Sequence, residues 1–489
     1  MPYKPMMPLF DWTMIAPVIV VAMTGIIALC IEMARPKKNN NLIVGFSLIG
    51  LLLAGFSLVV QFNAELYVYG EAFAGMVVRD RFSLSMQLLL VLTAFLSILF
   101  SEGYLREKRI PFGEFYPMLL WSTVGAMVMA ATRNLLMIFV GLEVLSIALY
   151  VLAGLSRKES KSEESALKYF LLGAFASGFL LYGISFVYGA TGSLHLDQIG
   201  QGWISGTGQE RGMMLFGLAL ILIGLSFKSA FVPFHMWTPD VYQGAPTNVT
   251  AFMAAGSKIA AIAALWRVAD STIALQQYWL PAMFWIAILT MTIGNLVALG
   301  QKDVKRVLGY SSIAHAGYIL VAILAHVKRP ELIGTDTISY YLLSYLLMTI
   351  GAFAVISLAA RSGKEGTQFD DVRGLWHRAP MAAGALIIFM CSLIGIPPTS
   401  GFVGKLLIFQ DALRADLAPL AIVLAINSIV SVYYYLGIAR AMFVAEEEGD
   451  AVRNVKINNG LRSAFVLCIA GIFGAAIFYG PLMNFITGR

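Results

Sequence analysis

Runs of about 20 predominantly apolar residues recur along this whole chain, and that recurrence dictates its fold class before any single residue is considered. Backbone donors and acceptors meet no water in hydrocarbon, so each such run must satisfy its own hydrogen bonds, as a helix. Composition agrees: 59% of the 489 residues are hydrophobic and only 13% charged, against about a quarter charged in a soluble protein. An all-α polytopic membrane protein is expected, with about 14 transmembrane helices. Their centres fall near residues 24, 52, 93, 123, 145, 177, 226, 258, 291, 315, 349, 396, 430 and 473. The first, about 14–33, follows a start rich in proline and methionine and lacks an A-x-A-like cleavage site, so it reads as a retained helix.

A net charge of +6 invites a nucleic-acid reading, but the basic residues sit in short connections such as Arg106, Lys108, Arg109 and Lys302, Lys305, Arg306. Their job there is orientation. With the N-terminus outside, basic residues favour the inside loops by roughly two to one, which places both termini outside. In a bacterial inner membrane, the expected setting, both termini are then periplasmic. Residues 189–211 read as a Gly/Ser-rich outside loop, and 446–450 as an acidic solvated linker. His195, His326 and His377 fall in or beside loops and call for no functional reading. Cys30, Cys391 and Cys468 are isolated, without the spacing of a disulfide framework or an iron–sulfur site.

Two spans are broken by proline: Pro233 within "GLSFKSAFVPFHMWTPD" (224–240), and Pro397 with Pro398 within "CSLIGIPPTSGFVGKLLIF" (391–409). Proline removes a backbone donor and clashes with the preceding turn. Freed polar groups at membrane depth persist only where protein or water satisfies them. The breaks fall in the seventh and twelfth spans, an odd offset that reverses direction through the membrane. Paired broken helices of this kind point to inverted repeats around a working site. The expected organisation is a three-helix region (1–114), two inverted five-helix repeats (115–270 and 280–441) and a C-terminal helix (461–489).

Seven ionisable residues lie well inside spans: Glu143, Lys168, Lys228, His235, Lys258, His315 and Lys405. Such residues are costly in a bilayer and mark ion or proton pathways. Glu143 falls near the middle of its span and Lys168 nearer the end of the next, so a direct pair between them is open. A lysine with a switchable carboxylate neighbour can load and release a proton, and histidine passes protons through two ring nitrogens. Only Glu143 is a deep carboxylate, too few for a hard-cation cage. On residue pattern alone, a free-standing cation/proton antiporter and a non-conducting scaffold both stay open beside a proton-translocating subunit.

Three ordered motifs carry a resemblance. "FKSAFVPFHMWTPDVYQGAPTNVTAFMAAGSKIA" (227–260), "KRVLGYSSIAHAGY" (305–318) and "IPPTSGFVGK" (396–405) resemble signatures of the antiporter-like membrane subunits of respiratory complex I. The likeness covers roughly 115–440 and implies a proton-translocating module without a redox centre. NADH, FMN, iron–sulfur clusters and quinone would then belong to partner subunits. Other membrane-arm subunits, neighbouring antiporter-like ones among them, would be its partners, along with the lipid bilayer and no nucleic acid. Lys405, the form "HMWTPDVYQGAPT" and a chain stopping at Arg489 look most like the N-type branch.

Residue by residue, the resemblance makes Glu143 the acid of the fifth helix and Lys168 its basic partner. Lys228 becomes the pumping lysine, His235 and Lys258 connecting groups, and Lys405 the terminal lysine. His315 lies within a matching motif and is expected to extend the relay.

Overall fold

The computed structural model describes residues 11–34, 41–63, 69–108, 110, 113–157, 159–359, 365–444 and 457–487. The acidic 446–450 segment and basic residues such as Arg109 lie outside the described residues. In chain order the helices are α1 (Trp12–Ala34), α2 (Asn41–Asn63), α3 (Arg81–Glu107), α4 (Phe115–Ala130), α5 (Leu135–Ala153), α6 (Ser160–Thr191) and α7 (Leu196–Ser205). Next come α8 (Gly208–Ser229), α9 (Trp237–Gly244), α10 (Thr247–Phe252), α11 (Lys258–Ser271), α12 (Gln276–Ala298), α13 (Val304–Lys328) and α14 (Asp336–Ile356). The series ends with α15 (Phe369–Val372), α16 (Leu375–Arg378), α17 (Pro380–Ile394), α18 (Ser400–Arg414), α19 (Ala418–Phe443), α20 (Asn459–Ile477) and α21 (Tyr479–Thr487).

The fold is all-α, as expected. Among the described residues, 12 helical segments are long and apolar enough to cross a membrane. Two shorter apolar helices, Phe115–Ala130 and Pro380–Ile394, stand near the centres expected at 123 and 396. Burial ranks the spans: an 18-residue apolar stretch of Thr247–Ser271 is 100% buried and that of α13 94%, whereas those of α1 and α2 are each 33% buried and turn most of their surface outward. The core is therefore α10–α11, α13 and α14.

Two features differ from the sequence reading. Residues 70–79 hold a small antiparallel hairpin, Gly70–Ala72 with Val77–Arg79, tied to the end of α4 by Val78 N donating to Ala131 O at 2.8 Å. The 189–211 connection contains α7, because Leu196, Ile199 and Trp203 recur at helical spacing and the first two are buried; glycine count concealed that stripe.

The two segments around the proline breaks share one local plan. Asn134 caps α5 by accepting from Leu136 N at 3.0 Å, and Asp303 caps α13 by accepting from Arg306 N at 3.0 Å. Each capping residue also bridges antiparallel to a later connection, Asn134 to His195 and Asp303 to Gln368. In both units the second helix packs on the first, and the third packs along both halves of the broken helix. Each break opens with a Schellman turn: Phe231 N donates to Ser226 O at 2.9 Å, and Ile396 N to Cys391 O at 3.0 Å. Pro233, Pro397 and Pro398 are exposed, so the residues without an N–H face outward and leave the polar backbone inside.

Candidate functional site

The first break positions Lys228 two residues before the left-handed C-cap Ala230. Its ammonium is buried and donates to Ser146 Oγ at 2.8 Å and Tyr169 OH at 2.9 Å, 5.1 Å from the centroid of the Tyr169 ring. A cavity of about 10 Å³ touches Lys228, Ser146, Tyr150 and Ser177, room for one water. Glu143, one turn before Ser146 on α5, is half-buried, and its Oε1 is enclosed without a partner among the described residues. The carbonyl of Phe227 accepts from Ala230 N at 3.1 Å and from Trp237 Nε1 at 2.9 Å, and Val232 N donates to Thr290 Oγ1 at 3.0 Å.

Lys258 starts α11 directly after a π-helical turn, Met253–Ser257. Such turns recur at functional sites. Its ammonium is buried, bonding Ser312 O and donating to Ser312 Oγ at 2.6 Å, with the Tyr345 ring 5.6 Å away. Ser312 Oγ also accepts from Tyr345 OH at 2.8 Å and lies 3.4 Å from Tyr242 OH. His315, one turn along α13, joins Tyr341 OH at 2.7 Å through Nδ1 and Tyr435 OH at 3.2 Å through Nε2.

The second break is held by Lys405. From α18 it reaches back across the break and donates to Leu393 O at 2.9 Å, Ile394 O at 2.8 Å and Ser428 Oγ at 2.9 Å. The last carbonyls of α17 are unpaired within their helix and carry the negative end of its dipole, so an ammonium there satisfies both needs. The Tyr318 ring lies 5.2 Å from this ammonium. Tyr318 OH accepts from Asn295 Nδ2 at 3.1 Å, and Asn295 Oδ1 accepts from Tyr434 OH at 2.9 Å.

Three buried ammonium groups thus share one pattern: neutral oxygen acceptors and a tyrosine ring, with no carboxylate within ion-pair distance among the described residues. Burying an ammonium without a counter-charge is a poor way to stabilise a fold. It is a usable arrangement for a group that holds and passes a proton.

Other expected residues are placed differently. Lys168 is not buried: its side chain is 42% exposed, near the start of α6, where it pairs with Glu164 at 2.7 Å and Asp240 at 2.8 Å. Asp240 also takes Arg306 at 2.6 Å, so Lys168 is tied to α13 through an acid that the sequence reading passed over. An aqueous i,i+4 carboxylate and an interfacial one outcompete a mid-span Glu143, with which Lys168 makes no ion pair among the described residues. His235 is half-buried inside the first break with Nδ1 enclosed and unpartnered, and no side-chain hydrogen bond among the described residues joins it to Lys228 or Lys258. His326 lies in the last turn of α13, where Nδ1 meets Ile333 O at 2.7 Å and Nε2 meets Asp270 at 3.1 Å.

The groups that sequence reasoning missed are mostly hydroxyls: Tyr169, Tyr242, Ser312, Tyr345 and Tyr435. Tyr340, Tyr341 and Tyr345 recur at helical spacing on α14, the one signal that could have pointed to them. Between Tyr169 and Tyr242 the string is interrupted by Trp237, stacked on Tyr169 at 4.8 Å and edge-on to Tyr242 at 6.3 Å.

A family model described as NADH:quinone oxidoreductase/Mrp antiporter, TM, matches residues 132–431. A curated relative from Trichlorobacter lovleyi, NADH-quinone oxidoreductase subunit N, is 43% identical over 439 residues, covering 89% of this chain and 88% of its own. A chain of respiratory complex I from Thermus thermophilus superposes with TM-score 0.80 at 35% identity, covering 96% of this chain and 98% of that one. A chain of the Mrp complex from Dietzia superposes with TM-score 0.82 at 21% identity, a likeness of fold alone.

Proposed function

Since the chain belongs to the NADH:quinone oxidoreductase/Mrp antiporter family, in its NADH-quinone oxidoreductase subunit N branch, we propose that it moves protons across the membrane through Lys228, Lys258, His315 and Lys405. The observation that carries the reading is the placement of three buried ammonium groups at helix breaks and a π-turn, each held by hydroxyl or carbonyl oxygens and without an ion-pair partner among the described residues. Quinone reduction in partner subunits would drive the transfer, with NADH, FMN and iron–sulfur clusters bound there. Its membrane-arm neighbours would include other antiporter-like subunits. The two units 115–270 and 280–441 would be the conducting halves of a chain with fourteen crossings, lying in a bacterial inner membrane with both termini periplasmic.

Lys228 holds the exchangeable proton. Glu143, one turn from the Ser146 that binds it, sets how firmly it is held. Lys168 acts on that acid through its own exchange between Asp240 and Glu164. Water around His235 bridges the interruption at Trp237 and delivers the proton to Tyr242, Ser312 and Lys258. His315 and its two tyrosines pass it toward Lys405.

The test is Lys228→Ala in the assembled complex. Protons moved per NADH oxidised should fall, and an unchanged ratio would remove Lys228 from its role.

A further inference from the structure

At the loop ends of α3, α6 and α13 lies a second set of charges that the relay above does not use. Glu159 pairs with Lys108 at 3.4 Å, Lys108 with Glu365 at 3.8 Å, and Glu365 with Lys305 at 3.7 Å. The four alternate in sign, from Glu159, 21% exposed, through Lys108 at 2% and Glu365 at 11%, to Lys305 at 0%. Lys305 also donates to Ala245 O, the cap of α9, at 2.5 Å. Glu365 is further held by Tyr104 OH on α3 and by Thr247 Oγ1 on α10, the latter at 2.8 Å.

An ion pair built only to pin loops would end at the surface. This one ends on α13, two turns from the oxygen that holds Lys258. Lys305 and Ser312 are seven residues apart, so they share one face of the helix with a rise of about 10 Å between them. Gly309 lies between them and carries no side chain, facing Thr238 and Pro239 of α9. Thr238 Oγ1 is buried there without a partner among the described residues, and so, on α10, are both amide atoms of Asn248, the residue after Thr247. Buried polar atoms left unpaired mark positions for internal water. The seam between α9 and α13 is therefore polar from Lys305 to the Tyr242–Ser312–Lys258 cluster.

We propose that Glu159, Lys108, Glu365 and Lys305 form a proton-uptake line that loads Lys258 directly from the loop side, through water in the α9–α13 seam. It rests on the proton-translocating reading above and gives Lys258, at the end of the 115–270 unit, a supply independent of Lys228. Each step makes one O–H or N–H bond as another breaks, so one proton enters at Glu159 for each one Lys258 releases, with no redox co-reactant. Burial, and then the charge of Glu365, hold the Glu159 carboxyl above the usual carboxylate range, which suits a collector at the rim. Burial pushes Glu365 up as well, but Lys305 and Lys108, together with the hydrogen bonds from Tyr104 and Thr247, outweigh it and keep that carboxyl below the usual range.

The experiment uses the assembled complex in vesicles with this loop side facing the medium, measuring protons taken up per NADH. Glu365→Gln and Lys305→Met should both drop to the ratio of Lys258→Ala, and Glu365→Asp should restore it. Glu159→Gln should slow turnover roughly threefold at about pH 8, with a smaller deficit at about pH 6 where protons are abundant; a loop-pinning role would not give that slope. If Glu365→Gln fails to assemble, the rim variant decides through the same pH profile. Wild-type uptake and pH profile in the Glu159 and Glu365 variants, beside an impaired Lys258→Ala, would overturn the uptake line and leave translocation standing. Normal pumping in both Lys228→Ala and Lys258→Ala would overturn the two readings together.

Discussion

The two units are laid out on one frame but carry different chemistry at matching positions. Counted from the capping residues Asn134 and Asp303, position nine is Glu143 in one unit and Ser312 in the other, and position twelve is Ser146 and His315. In each unit one of these two residues binds a buried lysine: Ser146 holds Lys228 and Ser312 holds Lys258. The acid occurs once. Glu143 thus sets a carboxyl one turn from the serine that holds Lys228, whereas Ser312 and His315 bring none to Lys258. The breaks differ in the same spirit. Lys228 stands two residues before its cap Ala230, and Leu393 stands two before its cap Gly395. Lys405 sends its ammonium to the Leu393 carbonyl from the far side of the break. Both units thus place a positive charge at the end of the first half-helix, by opposite routes.

If the acid is what makes the first unit a switch, replacing it should cost far more than replacing its counterpart. Glu143→Gln in the assembled complex should slow NADH-driven pumping about a hundredfold, the scale of a lost acid–base group. Ser312→Ala removes one charge-assisted bond to Lys258 while the Ser312 carbonyl stays, and should slow it about tenfold. Equal effects, read as initial rates of vesicle acidification, would erase the distinction between switch and conduit.

The two lysines should also separate by stability. Lys405→Met leaves the Leu393 carbonyl buried and unpaired and should cost about 3 kcal/mol. Lys228→Met leaves Ser146, which still donates to Leu142 O, and the Tyr169 hydroxyl, so about 1 kcal/mol is expected. Thermal midpoints of the two variants in detergent would show the order, and a reversal would mean that Lys405 does not bind the break.

The all-α membrane frame was legible because its cause is local: apolar run length and the three prolines act through their immediate neighbours. The deep lysines were legible because any ammonium in such a run is an anomaly. Lys168 misled because its partner Asp240 is brought back by the broken helix, 72 residues along the chain. Lys305 and Lys108 were read as loop charges for the same reason. Their burial depends on Glu365 arriving from a connection between α14 and α15. The tyrosines were invisible because a tyrosine in an apolar run is the bland case; only its hydroxyl partner reveals a role. Paired long-range contacts are what one sequence does not display.

The smallest effect lies at the two caps, where the breaks differ by a single methyl group. Ala230 adopts φ 63° and Gly395 φ 90°, both left-handed, a region that costs an L-residue roughly 1 kcal/mol and glycine almost nothing. A side chain at Gly395 would also place its Cβ 3.1 Å from Lys405 Cδ, a contact closer than ordinary packing. Gly395→Ala should therefore cost about 2 kcal/mol, falling to about 1 in a Lys405→Ala background where only the backbone strain is left. Ala230→Gly meets no such lysine. It should relieve the strain against the larger entropy of glycine in the unfolded chain, for a net gain of about 0.5 kcal/mol. Equal coupling of both caps to Lys405 would mean that the second break is not braced by its lysine, and the routes by which the two units place their charge would no longer differ.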